Sequence, residues 1–68
     1  MPTLQNRLKE HRARLSLSQT ELGLLAGVSR QTISQIERGD YSPSVMLALK
    51  IAKICGVSVE AIFTLTDD

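Results

Sequence analysis

Residues 25–39, Leu25-Ala26-Gly27-Val28-Ser29-Arg30-Gln31-Thr32-Ile33-Ser34-Gln35-Ile36-Glu37-Arg38-Gly39 (LAGVSRQTISQIERG), read as a glycine corner followed by a short helix with only two apolar anchors, Ile33 and Ile36. At about 100° per residue, with Ile33 set at zero, Ile36 falls near 300°, so the buried direction is near 330° and the outward one near 150°. Gln31 (about 160°), Arg38 (about 140°), Gln35 (about 200°) and Ser34 (about 100°) occupy the outer arc, with Arg30 flanking near 60° and Glu37 near 40°, toward the core boundary. Lys and Glu, the usual solubilising residues of an exposed helix, are missing from that arc.

The neighbouring elements follow from a recurring device. Leu17-Ser18 precedes Leu22, Val28-Ser29 precedes Ile33, and Val57-Ser58 precedes Ile62. In each case a serine caps a helix start and the flanking apolar pair packs across it. Ser18 with Glu21 also forms a capping box. Gly27 and Gly56 stand two residues before a capping serine, where the preceding helix ends with positive φ. Ser42-Pro43 marks a fourth start with Pro at the first helical position, and Pro2 or Thr3 opens another helix carrying Leu4 and Leu8. No period-two alternation is read anywhere. The expectation is an all-α, compact five-helix domain over residues 1–68, with helices at about 3–14, 18–26, 29–38, 43–55 and 58–64. The fourth helix is nearly apolar all round apart from Lys50 and Lys53, with Val45, Ala48, Ile51, Ala52 and Cys55 expected inward.

Composition sets the bounds. Sixty-eight residues support one domain, which buries about 60% of its unfolded surface. A hydrophobic fraction of 43%, with Tyr41 and Phe63 as the aromatics, indicates a core of Leu, Ile, Val and Ala. No apolar run approaches the ~18 residues that span a bilayer, and Met1-Pro2-Thr3 opens no signal peptide, so a cytoplasmic protein without membrane partners is expected. Cys55 has no disulfide partner and reads as a small buried hydrophobe, and one Cys with one His makes no zinc site. Net charge is +1, distributed as +3 over residues 1–38 and −2 over residues 39–68, so the N-terminal half is the candidate footprint for a polyanion.

Glutamine can pair with the edge of adenine and arginine with guanine, each worth about 1–3 kcal/mol of base discrimination. The preceding helix joins through the tight Gly27 turn, and the small Gly23 and Ala26 let the two helices cross closely, as in a helix-turn-helix over residues 18–38. The second helix of such a pair lies in the major groove, and Gln19 at the start of the first would meet a phosphate with the helix dipole assisting.

SQTELGLLAGVSRQTISQIERGDYSPS followed by LALKIAKICGVSVEAIF resembles the Cro/repressor (Xre-type) helix-turn-helix family of bacterial and phage transcription regulators over about residues 5–64. The resemblance rests on Gln19, Glu21-Leu22, a small residue at 23, Gly27-Val28-Ser29, Ile33, Ile36-Glu37, Gly39, Pro43 and Leu47. It implies base reading by Arg30, Gln31, Ser34 and Gln35, and phosphate contacts by Gln19, Ser29, Thr32 and Arg38. Tyr41 matches either a phosphate contact or a cover for the core edge. Arg12 and Glu37 match a buried ion pair tying the first helix to the third. Two departures stand out. Ser16 replaces a frequent Gly between the first helices, with strain if φ is positive there, and Leu24 replaces an outward charged residue.

The leading functional reading is a sequence-specific DNA-binding transcriptional regulator in the bacterial cytoplasm, a homodimer repressing from a two-fold operator, with no cofactor, metal or small-molecule substrate. Val59, Ile62, Phe63 and Leu65 are the dimer-interface candidates, with closure of the core as the competing role. The rival is a protein-interaction module of the same fold, such as an antitoxin-like partner, supported by near-neutral charge and by Leu24. An enzyme is disfavoured because no nucleophile–base pair is apparent and the serines are used as caps.

Overall fold

The computed structural model describes residues 2–67, and the ends of the expected domain, residues 1 and 68, lie outside them. Five helices, α1 (Leu8–Arg14), α2 (Gln19–Ala26), α3 (Arg30–Arg38), α4 (Val45–Cys55) and α5 (Val59–Ile62), are preceded by strand β1 (Pro2–Asn6) and followed by strand β2 (Phe63–Asp67). The core consists of Leu8, Leu22, Ala26, Ile33, Ile36, Leu47, Ile51, Ala52, Cys55 and Ile62, edged by half-buried Leu17, Val28, Val57 and Phe63. Among the described residues no helix is long and apolar enough to cross a membrane.

The strands correct the all-α expectation. β1 and β2 pair antiparallel, placing Pro2 opposite Asp67, Leu4 opposite Leu65 and Asn6 opposite Phe63. Leu4 and Leu8 therefore do not share a helix: Leu8 is fully buried, whereas Leu4 lies on the sheet. A signal was present, because Phe63-Thr64-Leu65-Thr66 alternates with period two and is rich in the aromatic and β-branched residues that favour strands. α5 accordingly stops at Ile62, and Phe63 turns to extended backbone (φ −115°, ψ 128°) instead of continuing to residue 64.

Asn6 sets the start of α1. Its Oδ1 accepts from Leu8 N at 3.1 Å while its Nδ2 donates to Ile36 O at 2.8 Å, so one side chain joins the end of β1 to the C-terminal turn of α3. Arg7 holds the cap position of α1 without a side-chain cap bond, so Asn6 supplies the side-chain acceptor from one residue further back. His11 Nε2 lies 3.2 Å from Ala61 O, and Arg14 Nη2 donates to Cys55 O at 3.1 Å, fastening α1 to α5 and to the end of α4. Burial pushes the Cys55 thiol up, against a smaller opposing pull from the Arg14 charge, as suits an unreactive core side chain.

The serine caps sit at Ser18, Ser29 and Ser44, where the hydroxyls accept from Glu21 N, Thr32 N and Leu47 N. α4 thus starts at Val45 behind Ser44, and Pro43 precedes the cap instead of opening the helix. The register of α4 follows: Leu47, Ile51, Ala52 and Cys55 turn inward, while Val45, expected inside, is 76% exposed. Ser58 occupies the cap position of α5 without a side-chain cap bond.

Two local features have measurable consequences. Ser16 holds φ at 57°, in the left-handed region that costs a side-chain-bearing residue roughly 1–2 kcal/mol. Ser16→Gly is expected to stabilise by about 0.5–1 kcal/mol once glycine's greater freedom in the unfolded chain is subtracted, a melting-temperature rise of a few degrees by circular dichroism. Glu21 closes the capping box by accepting from Ser18 N at 2.8 Å, and the backbone and hydroxyl bonds with Ser18 hold its carboxyl below the ordinary range. A carboxyl depressed by folding contributes stability above its unfolded pKa of about 4.3 and loses it as pH falls through the folded value. The melting-temperature gap between the native chain and Glu21→Gln should therefore be open at neutral pH and close below about pH 4.

Candidate nucleic-acid interface

α2 and α3 meet at very close range. A Cβ on buried Gly23 would lie 2.7 Å from Val28 O, and Val28 N already donates to Gly23 O at 2.8 Å. Backbone of the connecting turn thus packs directly on α2, with Gly27 supplying the left-handed corner (φ 77°). This contact fixes the angle at which α3 leaves the domain.

Ile33 and Ile36 are fully buried, which turns the remainder of α3 outward. Arg30, Gln31 and Arg38 are exposed, while Ser34 and Gln35 are half-buried. Among the described residues neither Gln31 nor Gln35 has a side-chain hydrogen-bond partner, so both amides are free to pair elsewhere. Ser29 and Thr32 are joined at the start of the helix, their hydroxyls 3.1 Å apart. Arg38 donates to Ser34 Oγ and to Asp40 Oδ2, each at 3.0 Å, so Ser34 and Arg38 form a unit and the exposed Asp40 partly answers the Arg38 charge. Tyr41 follows, 45% exposed.

Behind this face lies a network joining three helices. Arg12 Nε donates to Glu37 Oε2 at 2.7 Å and Nη2 to Oε1 at 3.2 Å, a two-pronged pair whose side chains are 15% and 6% exposed. Arg12 Nη1 also donates to Leu17 O at 2.9 Å. The hydrogen bonding to the Glu37 carboxylate raises the Arg12 pKa, opposed by burial and aided by the Glu37 charge. Gln19, the first residue of α2, donates Nε2 to Glu37 Oε1 at 3.1 Å and accepts from Arg30 Nη1 at 3.5 Å. Glu37, the acidic residue of α3, is thereby neutralised from behind, and the outward surface of that helix carries the Arg30 and Arg38 charges. Gln19 lies between the buried pair and the surface, its amide engaged on the inner side.

The sequence reading missed Asn6 as the anchor for the C-terminal turn of α3 and Asp40 as the partner of Arg38. Of the four interface candidates, Ile62 is fully buried in the core because the strand turn follows it immediately. Val59 and Phe63 are half-buried against that core, and Leu65 stands out at 72% exposure. Leu24 is 77% exposed beside Leu25 at 61%. Among the described residues no cluster of His, Cys, Asp and Glu is grouped to hold a metal ion.

Comparison with known proteins agrees with this geometry. The helix-turn-helix family profile matches residues 8–62. The uncharacterized HTH-type transcriptional regulator YgzD of Bacillus subtilis is 48% identical over 65 residues, covering 96% of this chain and 98% of its own. MJ0272 of Methanocaldococcus jannaschii, also an uncharacterized HTH-type transcriptional regulator, is 52% identical with the same coverage. Among solved structures, the P22 c2 repressor in complex with a synthetic operator superposes with a TM-score of 0.77 at 33% identity, over 79% of this chain and 82% of that one. The restriction-modification controller protein C.AhdI of Aeromonas hydrophila gives 0.75 at 33% identity, over 81% and 80%. The chain thus belongs to the helix-turn-helix family of the Xre/Cro type, whose fold and relatives are those of transcriptional regulators and not of enzymes.

Proposed function

We propose that this protein is a sequence-specific DNA-binding regulator of the cytoplasm that inserts α3 into the major groove and acts as a homodimer on a two-fold operator, repressing by occlusion of a promoter. One observation carries the reading: burial of Ile33 and Ile36 leaves Arg30, Gln31 and the Ser34–Arg38 unit on an outward face whose helix is set at a fixed angle by backbone contact with α2. Arg30, Gln31, Ser34 and Gln35 read base edges. Gln19, Ser29, Thr32, Arg38 and Tyr41 meet phosphates, with the free amide groups at the start of α2 assisting. A structural relative of the same fold, the P22 c2 repressor, is seen bound to an operator, which supports the duplex as partner. A second copy about one helical turn (~34 Å) along the duplex multiplies the few base contacts of one helix.

Selection from random DNA, followed by gel-shift titration at two salt concentrations, tests this. A preferred sequence with paired half-sites is expected, with affinity falling as salt rises. Gln31→Ala should cost about 1–3 kcal/mol at the preferred site and leave the melting curve unchanged, whereas Arg38→Ala should weaken all sequences and reduce the salt slope by about 1. Unchanged affinity in Gln31→Ala removes that residue from base reading. A second reading, a protein-held module of the same fold, is favoured by the exposed Leu24 and Leu25, and it expects DNA binding that ignores sequence or is absent.

A further inference from the structure

We propose that Asp40 stands in for a DNA phosphate in the free protein, engaging Arg38 until a phosphate displaces it, and so sets the affinity of the reading face. Glu37 is turned inward to Arg12, so the acidic group beside the outward side of α3 is Asp40. Its backbone is fixed: Gly39 takes the left-handed corner (φ 80°), and Asp40 N donates to Gln35 O at 2.9 Å. From there its carboxylate reaches back to accept from Arg38 Nε at 3.0 Å, while Arg38 Nη1 donates to Ser34 Oγ at 3.0 Å. Nε shares with Nη2 the edge on which a guanidinium takes a phosphate with two parallel bonds. Asp40 therefore occupies the place that a phosphate would take.

Stability does not account for a carboxylate at this position. Asp40 stands just past the C-terminal end of α3, where the aligned peptide dipoles carry partial negative charge and disfavour more of it. The pair with Arg38 returns little, since its side chains are 59% and 62% exposed and water screens it. That weakness makes the contact exchangeable. A duplex presents one negative charge per about 1.7 Å of its axis, so a phosphate held at the face by the other contacts outcompetes one solvated carboxylate. The exchange leaves Asp40 beside the duplex without its partner, and like charges then repel. Both effects act on the backbone contacts that all sequences share, so they lower every affinity to a similar degree. The inference rests on the DNA-binding reading and assigns Asp40 a role opposite to that of the phosphate contacts.

Gel-shift titration of the full chain on the preferred site and on a random duplex, at several salt concentrations, tests this role. Asp40→Asn and Asp40→Ala should each tighten both complexes about three- to tenfold at low salt and steepen the salt slope by up to about one. The melting temperature should stay unchanged or rise slightly. In the Arg38→Ala background the same Asp40 substitution should give less than roughly half that gain on a logarithmic scale, because no guanidinium is left to release. A larger gain in that background means that Asp40 acts by repulsion alone and overturns the proposal. Duplex binding that is unchanged in the Asp40 variants overturns it too, as does weaker binding, which would make Asp40 a residue that positions Arg38 for DNA. If the two variants disagree, Asp40→Ala decides, since asparagine keeps an acceptor for Arg38. If neither the native chain nor any variant binds a duplex, the regulator reading itself fails and takes the proposal with it.

Discussion

Ile33→Ala is expected to destabilise the domain by about 2–5 kcal/mol, the range for removing three carbons from a fully packed site. Ile33 is fully buried against Leu22, Ile36, Ile51 and the other core residues, so the surroundings close the resulting space only in part. Small domains are held by about 5–15 kcal/mol in total, and this one, with few aromatics, belongs at the low end. A loss of even 2 kcal/mol lowers the melting temperature by roughly 8–16 °C. Thermal and urea unfolding followed by circular dichroism measures it, and a change below 1 kcal/mol would mean that Ile33 does not anchor α3. Ile33→Ala touches nothing on the outward face. Any DNA affinity it loses should therefore track the folded fraction, in contrast to Gln31→Ala, which loses affinity while fully folded.

Glu37→Ala comes second in size, with an expected loss of about 3 kcal/mol, the lower end for breaking a buried pair. The loss falls at that end because Arg12 keeps its bond to Leu17 O and retains some solvent contact. Glu37→Gln preserves the shape and part of the hydrogen bonding and should cost less. Replacing both partners, Arg12→Met with Glu37→Leu, should recover most of the stability, because no charge is then left unpaired. Urea denaturation checks all three, and the single variants Arg12→Met and Glu37→Leu beside the double close a double-mutant cycle. The raised Arg12 pKa means that its share of the stabilisation is present throughout neutral pH and lost only as pH climbs above the ordinary arginine range, so on its account the gap stays flat between about pH 6 and 9. Glu37→Ala also releases Gln19, and with it the 3.5 Å contact to Arg30. DNA affinity should therefore fall by more than the unfolded fraction explains, and the double replacement, which restores stability without restoring the Gln19 anchor, should leave that additional loss in place.

The interior of the fold was legible because its signals are local. Ser18 with Glu21, Ser29, Gly27 and Gly56 mark helix ends through bonds and dihedrals that involve only a few neighbouring residues, and the 3.6-residue period of Ile33 and Ile36 places the outward arc of α3 unaided. The start of α4 was misplaced by two residues because Ser42-Pro43 and Ser44 are both acceptable starts locally. Packing of Leu47 and Ile51 selects Ser44, and with it the exposure of Val45.

The amino-acid sequence alone determined the helix-turn-helix, its glycine corner and the direction in which Gln31 and Arg38 point, since each depends on contacts within one or two helical turns. Tertiary structure alone decided that Pro2–Asn6 becomes a strand and pairs with Phe63–Asp67, that Asn6 reaches Ile36, and that Gln19 is held by Glu37. A ladder between residues some sixty positions apart has no local signature strong enough to outweigh the helical spacing of Leu4 and Leu8. It forms because the helical core brings the two chain ends together, and that juxtaposition is what leaves Leu4 and Leu65 paired on the surface.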